Sequence, residues 1–162
     1  MTTQNDLWFQ PAQWASLTEN LPVFRGTGQT KPEREVQIGS PQDRTPVNMP
    51  KLVQKEIDDC FEKMFGLRFR QRSLFVTGSF NVAKVYAKDY GEVRTIRPST
   101  PFCFCWGLNS KDLYFEYMEM PHGESIEDLI IRLDFRTGNL AQAIQSGHEI
   151  MLVGESFISE KI

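Results

Sequence analysis

Apolar positions along this chain recur first at helical, then at strand spacing. Over residues 50–65, Val53, Ile57, Cys60, Phe61 and Met64 fall on one side, and Gly66 is placed to stop a helix. Residues 11–21 predict a short helix that starts at Pro11, carries Trp14, Leu17 and Leu21 on one side and ends before Pro22. A brief strand over 23–27 follows. Leu67 to Arg72 alternates apolar and basic residues as a strand does, and 74–76 reads as a buried strand. After Gly78-Ser79, residues 80–87 resume helical spacing through Val82, Ala83 and Tyr86. Residues 92–96 alternate as a strand. Residues 102–106 form a strongly apolar strand, and the aromatic-rich 113–120 also reads as a strand. Ser125, with Asp128 three residues on, predicts the cap of a helix lined by Ile126, Leu129, Ile130 and Leu133. A short helix over 139–146, stopped by Gly147, leads to closing strands over 149–153 and 156–158.

Residues 26–50 break this rhythm. They are rich in Gly, Pro, Gln, Thr, Arg and Asp, and they predict a long polar loop of the functional or mobile kind. The sum is an α+β fold: one domain over 1–162, with a split, mostly antiparallel β core and flanking helices.

Composition narrows the class. With 40% hydrophobic and 24% charged residues the chain reads as globular and soluble rather than disordered. A net charge of −3 argues against broad, nonspecific nucleic-acid binding but leaves room for a local basic patch. No apolar run is long enough to cross a bilayer. The first six residues have neither the basic nor the apolar region of a signal peptide. Three cysteines without framework spacing fit a reducing compartment, so the expected address is the cytoplasm. Cys103 and Cys105 share a strand face, but Cys-x-Cys without a second pair is a poor zinc site, and they read as buried small hydrophobes.

Candidate chemistry sits in three separated stretches. Arg25 ends an apolar pair and precedes Gly26, an arrangement suited either to phosphate recognition through the guanidinium fork or to a surface ion pair. Thr77 and Ser79 put hydroxyls at the end of a strand, either at a cleft edge or as a helix cap. Glu149 opens an apolar strand just after Gly147, where it either sits at the solvent margin or opposes positive charge that develops on a sugar across a cleft, whereas Glu155 falls in a turn. Arg68, Arg70 and Arg72 form a period-two stripe with Phe69 pointing the other way. That face would either hold phosphates of NAD, DNA or RNA or simply be solvated.

Taken in order, Phe24-Arg25-Gly26, then Phe75-Val76-Thr77-Gly78-Ser79 with Ala83 and Tyr86, then His148-Glu149-Ile150-Met151-Leu152-Val153-Gly154, resemble the mono-ADP-ribosyltransferase pattern. That family carries an Arg on its first core strand, a Ser-Thr-Ser-type strand and a late Glu that opens an apolar strand. The resemblance covers residues 23–158 and implies an ADP-ribosyltransferase-like fold with NAD as substrate and no metal. It implies that Arg25, Gly26, Thr77, Ser79 and Tyr86 build the NAD site, with Arg25 on the phosphates, and that Glu149 is catalytic. Three positions depart from the pattern. Gly78 replaces the middle hydroxyl, with Thr77 for the leading Ser, and Gly147 stands where enzymes that modify arginine or asparagine-like side chains carry Glu or Gln, which leaves the acceptor undefined. The segments around Arg44 and over 109–113 are also similar to phage proteins, which implies a viral source and the host cytoplasm. The expected function is mono-ADP-ribosyl transfer to a protein or nucleic acid in phage–host conflict. The alternatives are a noncatalytic structural or host-binding protein of the same fold, and a small nucleic-acid-binding protein that uses Arg68, Arg70 and Arg72.

Overall fold

The computed structural model describes the chain from residue 4, with side chains from residue 6; the first three residues, part of the stretch read above for a signal peptide, lie outside it. Helices α1 (Gln4–Leu7) and α2 (Trp14–Thr18) flank a 3-10 turn at Pro11–Gln13. Strands β1 (Phe24–Thr27) and β2 (Glu35–Ile38) precede the long helix α3 (Lys51–Phe65) and the single-turn α4 (Phe69–Arg72). Next come β3 (Leu74–Val76), α5 (Phe80–Ala87), β4 (Glu92–Pro98) and β5 (Phe102–Gly107). Helices α6 (Leu113–Met118) and α7 (Ile126–Arg132), strand β6 (Phe135–Arg136), helix α8 (Leu140–Ser146) and strands β7 (Ile150–Gly154) and β8 (Phe157–Lys161) complete the fold.

The strands form two antiparallel sheets, ordered β1-β4-β8-β2 and β3-β7-β5-β6. The sheets meet where Phe24 and Thr77 exchange backbone hydrogen bonds of 2.8 and 2.9 Å. The expected α+β class with an antiparallel core therefore holds. Strands β5 and β7 are buried along their whole length because the second sheet is covered on both faces. On one face Phe61, Phe69, Leu129 and Leu133 pack against Cys103, Cys105, Met151 and Val153; on the other, Leu140 and Ile144 pack against Phe104, Trp106 and Leu152. Both thiols are free and buried, and burial pushes them up out of the reactive range.

Four expectations change. Residues 69–72 are helical, not a strand, because the Asp58 carboxylate on α3 accepts hydrogen bonds from the amides of Arg70 (2.8 Å) and Gln71 (3.0 Å) and so holds a helical turn. Phe69 still enters the core, edge-on to Phe61 and Phe65. The aromatic stretch at 113 is also a helix: Asp112 caps it by accepting from the amide of Phe115 (3.1 Å), and Leu113, Tyr114 and Tyr117 face the core. Finally, the polar 26–50 stretch contains β2, which pairs with β8 through Val36 and Ile38. The buried Arg94 orders the chain before β2 by donating to the carbonyls of Lys31 (2.9 Å) and Glu33 (2.8 Å). The helix read over 11–21 is shorter than expected, since Glu19 and Asn20 take left-handed backbone angles and end it.

Candidate active site

Glu149 is placed by three elements at once. Helix α8 ends at Gly147, whose φ of 72° turns the chain toward β7. The Thr77 hydroxyl, at the end of β3, donates to the Gly147 carbonyl (3.0 Å) and accepts from the Ser79 amide (3.1 Å). The Glu149 amide donates to the carbonyl of Lys111 (2.8 Å), just before α6. The carboxylate thus points into a cleft of about 290 Å³ that opens between α3, β3, α5 and α6.

Inside the cleft, Arg70 Nη1 donates to Glu149 Oε1 at 2.9 Å, and both side chains are less than a tenth exposed. Burial raises the Glu149 pKa; the Arg70 charge opposes this, Asp112 adds to it, and the Leu113 amide and Arg44 favour the ionised form. The guanidiniums of Arg44 and Arg70 both lie over the Phe75 ring, 4.1 and 4.5 Å from its centre. Tyr86, from α5, donates its hydroxyl to Asp112 Oδ2. Burial, then the Glu149 charge, pushes that phenol up, so Tyr86 stays a neutral donor. The arrangement buries a carboxylate in direct contact with one guanidinium, with a second over the same ring.

The expected site residues divide into groups. Glu149 and Tyr86 share the cleft. Thr77 and Ser79 do not face it as ligands would: Thr77 fastens the loop before Glu149, and Ser79 Oγ caps α5 by accepting from the Val82 amide (3.2 Å). Arg25 lies opposite Arg94 on β1 and lines a neighbouring cavity of about 330 Å³ with Glu92 and Ser159. Burial lowers its pKa. It does not touch Glu149; Arg70 does. Gly26 is required by packing, since a Cβ there would stand 1.9 Å from the Ala83 carbonyl oxygen of α5. Gly78, the departure from the hydroxyl triplet, has the same cause: its Cβ would meet the Ile144 carbonyl oxygen at 2.0 Å. Arg68, Arg70 and Arg72 share no single face. Arg68 pairs with Asp59 (2.8 Å), Arg70 turns inward to Glu149, and Arg72 Nε is buried. Glu155 is exposed, as expected.

Arg44, Phe75 and Asp112 are among the cleft residues that sequence reasoning did not assign to the site. Asp112 carried a signal, an acid at the end of a polar turn before an apolar run, which is a cap signature. Arg44 carried none, because the path of its loop is set by tertiary contacts. Among the described residues no group of three or more His, Cys, Asp or Glu side chains could hold a metal, and no helix is long and apolar enough to cross a membrane. Comparison with protein-family models, curated proteins and solved structures gives no match to this chain.

Proposed function

We propose that this protein cleaves NAD and transfers ADP-ribose to a macromolecular acceptor, with Glu149 as the catalytic carboxylate. The observation that carries the reading is the adjacency of three strands. The Arg25 strand β1 is bridged to the end of β3 at Thr77, and β3 pairs with β7 as far as Val76–Ile150, the residue immediately after Glu149. Three stretches far apart in sequence therefore border one region, in the order that the ADP-ribosyltransferase resemblance implies. In the reaction the bond between the ribose C1′ and the nicotinamide nitrogen breaks, and nicotinamide leaves with the electron pair. The Glu149 carboxylate stabilises the cationic sugar. A lone pair of the acceptor then forms the new bond to C1′, and its proton passes to solvent. An apolar groove of about 710 Å³ shares Tyr86, Asp112 and Tyr114 with the cleft and carries the exposed Val85, Phe115 and Met118, which gives a large acceptor a surface beside the acid.

Release of nicotinamide from NAD, followed for the wild type and for Glu149→Gln, tests this. The expected result is turnover by the wild type and a loss of about 100-fold or more in the variant. No release by concentrated wild-type protein, or equal rates in the two proteins, would refute it.

A second reading, a noncatalytic binding protein, is favoured by one observation. Arg70 already neutralises Glu149 in a buried pair, as in a structural ion pair. It requires that no nicotinamide be released at any protein concentration.

A further inference from the structure

Two guanidiniums lie over one ring, and only one of them contacts a carboxylate. Glu149 neutralises Arg70. Among the described residues Arg44 has no acidic partner; its Nη2 donates to the carbonyl of Ser73 (2.6 Å). Burial, then the charges of Arg70 and Arg25, disfavour the charge on Arg44, and the single Glu149 carboxylate that they share only partly offsets them. A half-buried cation beside two others is costly unless an anion completes the set. The orphaned donors say the same. Arg70, more than nine-tenths buried, has an unpartnered Nε, and so does Arg44.

The backbone around Arg44 is held from both sides. Its amide donates to the carbonyl of Gln71 (2.8 Å), and its carbonyl accepts from the Gln54 side chain (3.1 Å). The head group is therefore aimed by two fixed points while lying at the cleft wall. A guanidinium fork matches the oxygens of a phosphate group. A cleft of about 290 Å³ has room for a pyrophosphate with its attached sugar but not for a folded nucleic acid.

We propose that Arg44, with Arg70 behind it over Phe75, binds the phosphate groups of a small phosphate ester or pyrophosphate ligand in the cleft beside Glu149. This moves phosphate recognition from Arg25, where the resemblance put it, to Arg44. It stands whether or not NAD is cleaved.

The test is calorimetric titration with inorganic pyrophosphate at low salt. The wild type binds, Arg44→Gln weakens binding about tenfold or more, and Arg25→Gln weakens it less. Absence of binding to the wild type at millimolar pyrophosphate overturns the proposal, and so does a larger loss in Arg25→Gln than in Arg44→Gln. If Arg44→Gln does not fold, Arg44→Lys replaces it; the charge without the fork is expected to bind several-fold more weakly, and unchanged affinity overturns the assignment. Competition separates the sources of the phosphate. Displacement of pyrophosphate by ADP-ribose supports a small ligand, and displacement by a single-stranded oligonucleotide alone overturns it. Pyrophosphate binding without nicotinamide release leaves this site standing and removes only the enzymatic reading.

Discussion

Arg70 and Glu149, 79 positions apart in sequence, meet at 2.9 Å in a pocket where each is less than a tenth exposed. The pair links α4 to the loop before β7. Its guanidinium opposes the burial that raises the Glu149 pKa toward the neutral form. The chemistry proposed for Glu149 and part of the domain's stability therefore rest on the same contact.

Removing the cation exposes that dependence. Arg70→Met leaves Glu149 buried without its partner and should cost about 3–5 kcal/mol. The Glu149 pKa is already raised in the folded state, and the variant raises it further. The folded state then holds the proton to higher pH than the unfolded chain, so the loss should be larger at pH 8 than at pH 5. Urea unfolding at the two pH values checks this; a small loss, equal at both, would contradict it.

Asp58 titrates in its own window. Burial raises it from the ordinary 3.8 to about 6, against the two amide hydrogen bonds and the charges of Arg68 and Arg70. The unfolded chain releases this proton near 3.8 and the folded protein near 6, so the contribution of Asp58 falls as pH rises between those values, by on the order of 3 kcal/mol. Stability measured from pH 4 to 7 should decline less steeply in Asp58→Asn than in the wild type. Parallel profiles would show that Asp58 ionises at its ordinary pKa.

Restoring the hydroxyl that the family pattern expects should harm the protein. Gly78→Ser places a Cβ 2.0 Å from the Ile144 carbonyl oxygen, and backbone cannot yield as a side chain can. A cost of about 1–3 kcal/mol or more follows, a fall in Tm of several degrees. An unchanged Tm in a thermal melt would contradict this packing.

Thr77→Val keeps the volume and removes both hydrogen bonds of the hydroxyl, to Gly147 and from Ser79. The expected cost is about 1–3 kcal/mol for the buried groups left unpaired. Because the loop ahead of Glu149 loosens, kcat for nicotinamide release should fall with little change in KM. A change confined to KM would place Thr77 on the substrate instead.

Much of this architecture was legible from local pattern. Helix α3, the β3–α5 unit and the apolar strands β5 and β7 follow from apolar spacing bounded by Gly and Ser, signals that sit within the segments they shape. The errors share one cause. Helix α4 exists because Asp58, twelve residues upstream of Arg70, caps it, and no periodicity within 67–72 reports that. Helix α6 was hidden because aromatic residues favour strands in general, whereas here Leu113, Tyr114 and Tyr117 meet the core at helical spacing. Strand β2 is short, lies at a sheet edge and carries only two apolar side chains. At the site, Glu149 and Tyr86 were visible as residue types in a fitting order. That Arg70 rather than Arg25 contacts Glu149 depends on the turn that Asp58 creates.

The rate of nicotinamide release as a function of pH, for wild type beside Glu149→Gln, is the most direct measurement of the central claim. Since Glu149 acts ionised and burial holds its pKa up, the wild-type rate should rise with pH through one ionisation above the ordinary glutamate value, and Glu149→Gln should show neither the rate nor the rise. A wild-type rate that ignores pH across that ionisation, or that Glu149→Gln reproduces, would mean that Glu149 is not the catalytic group.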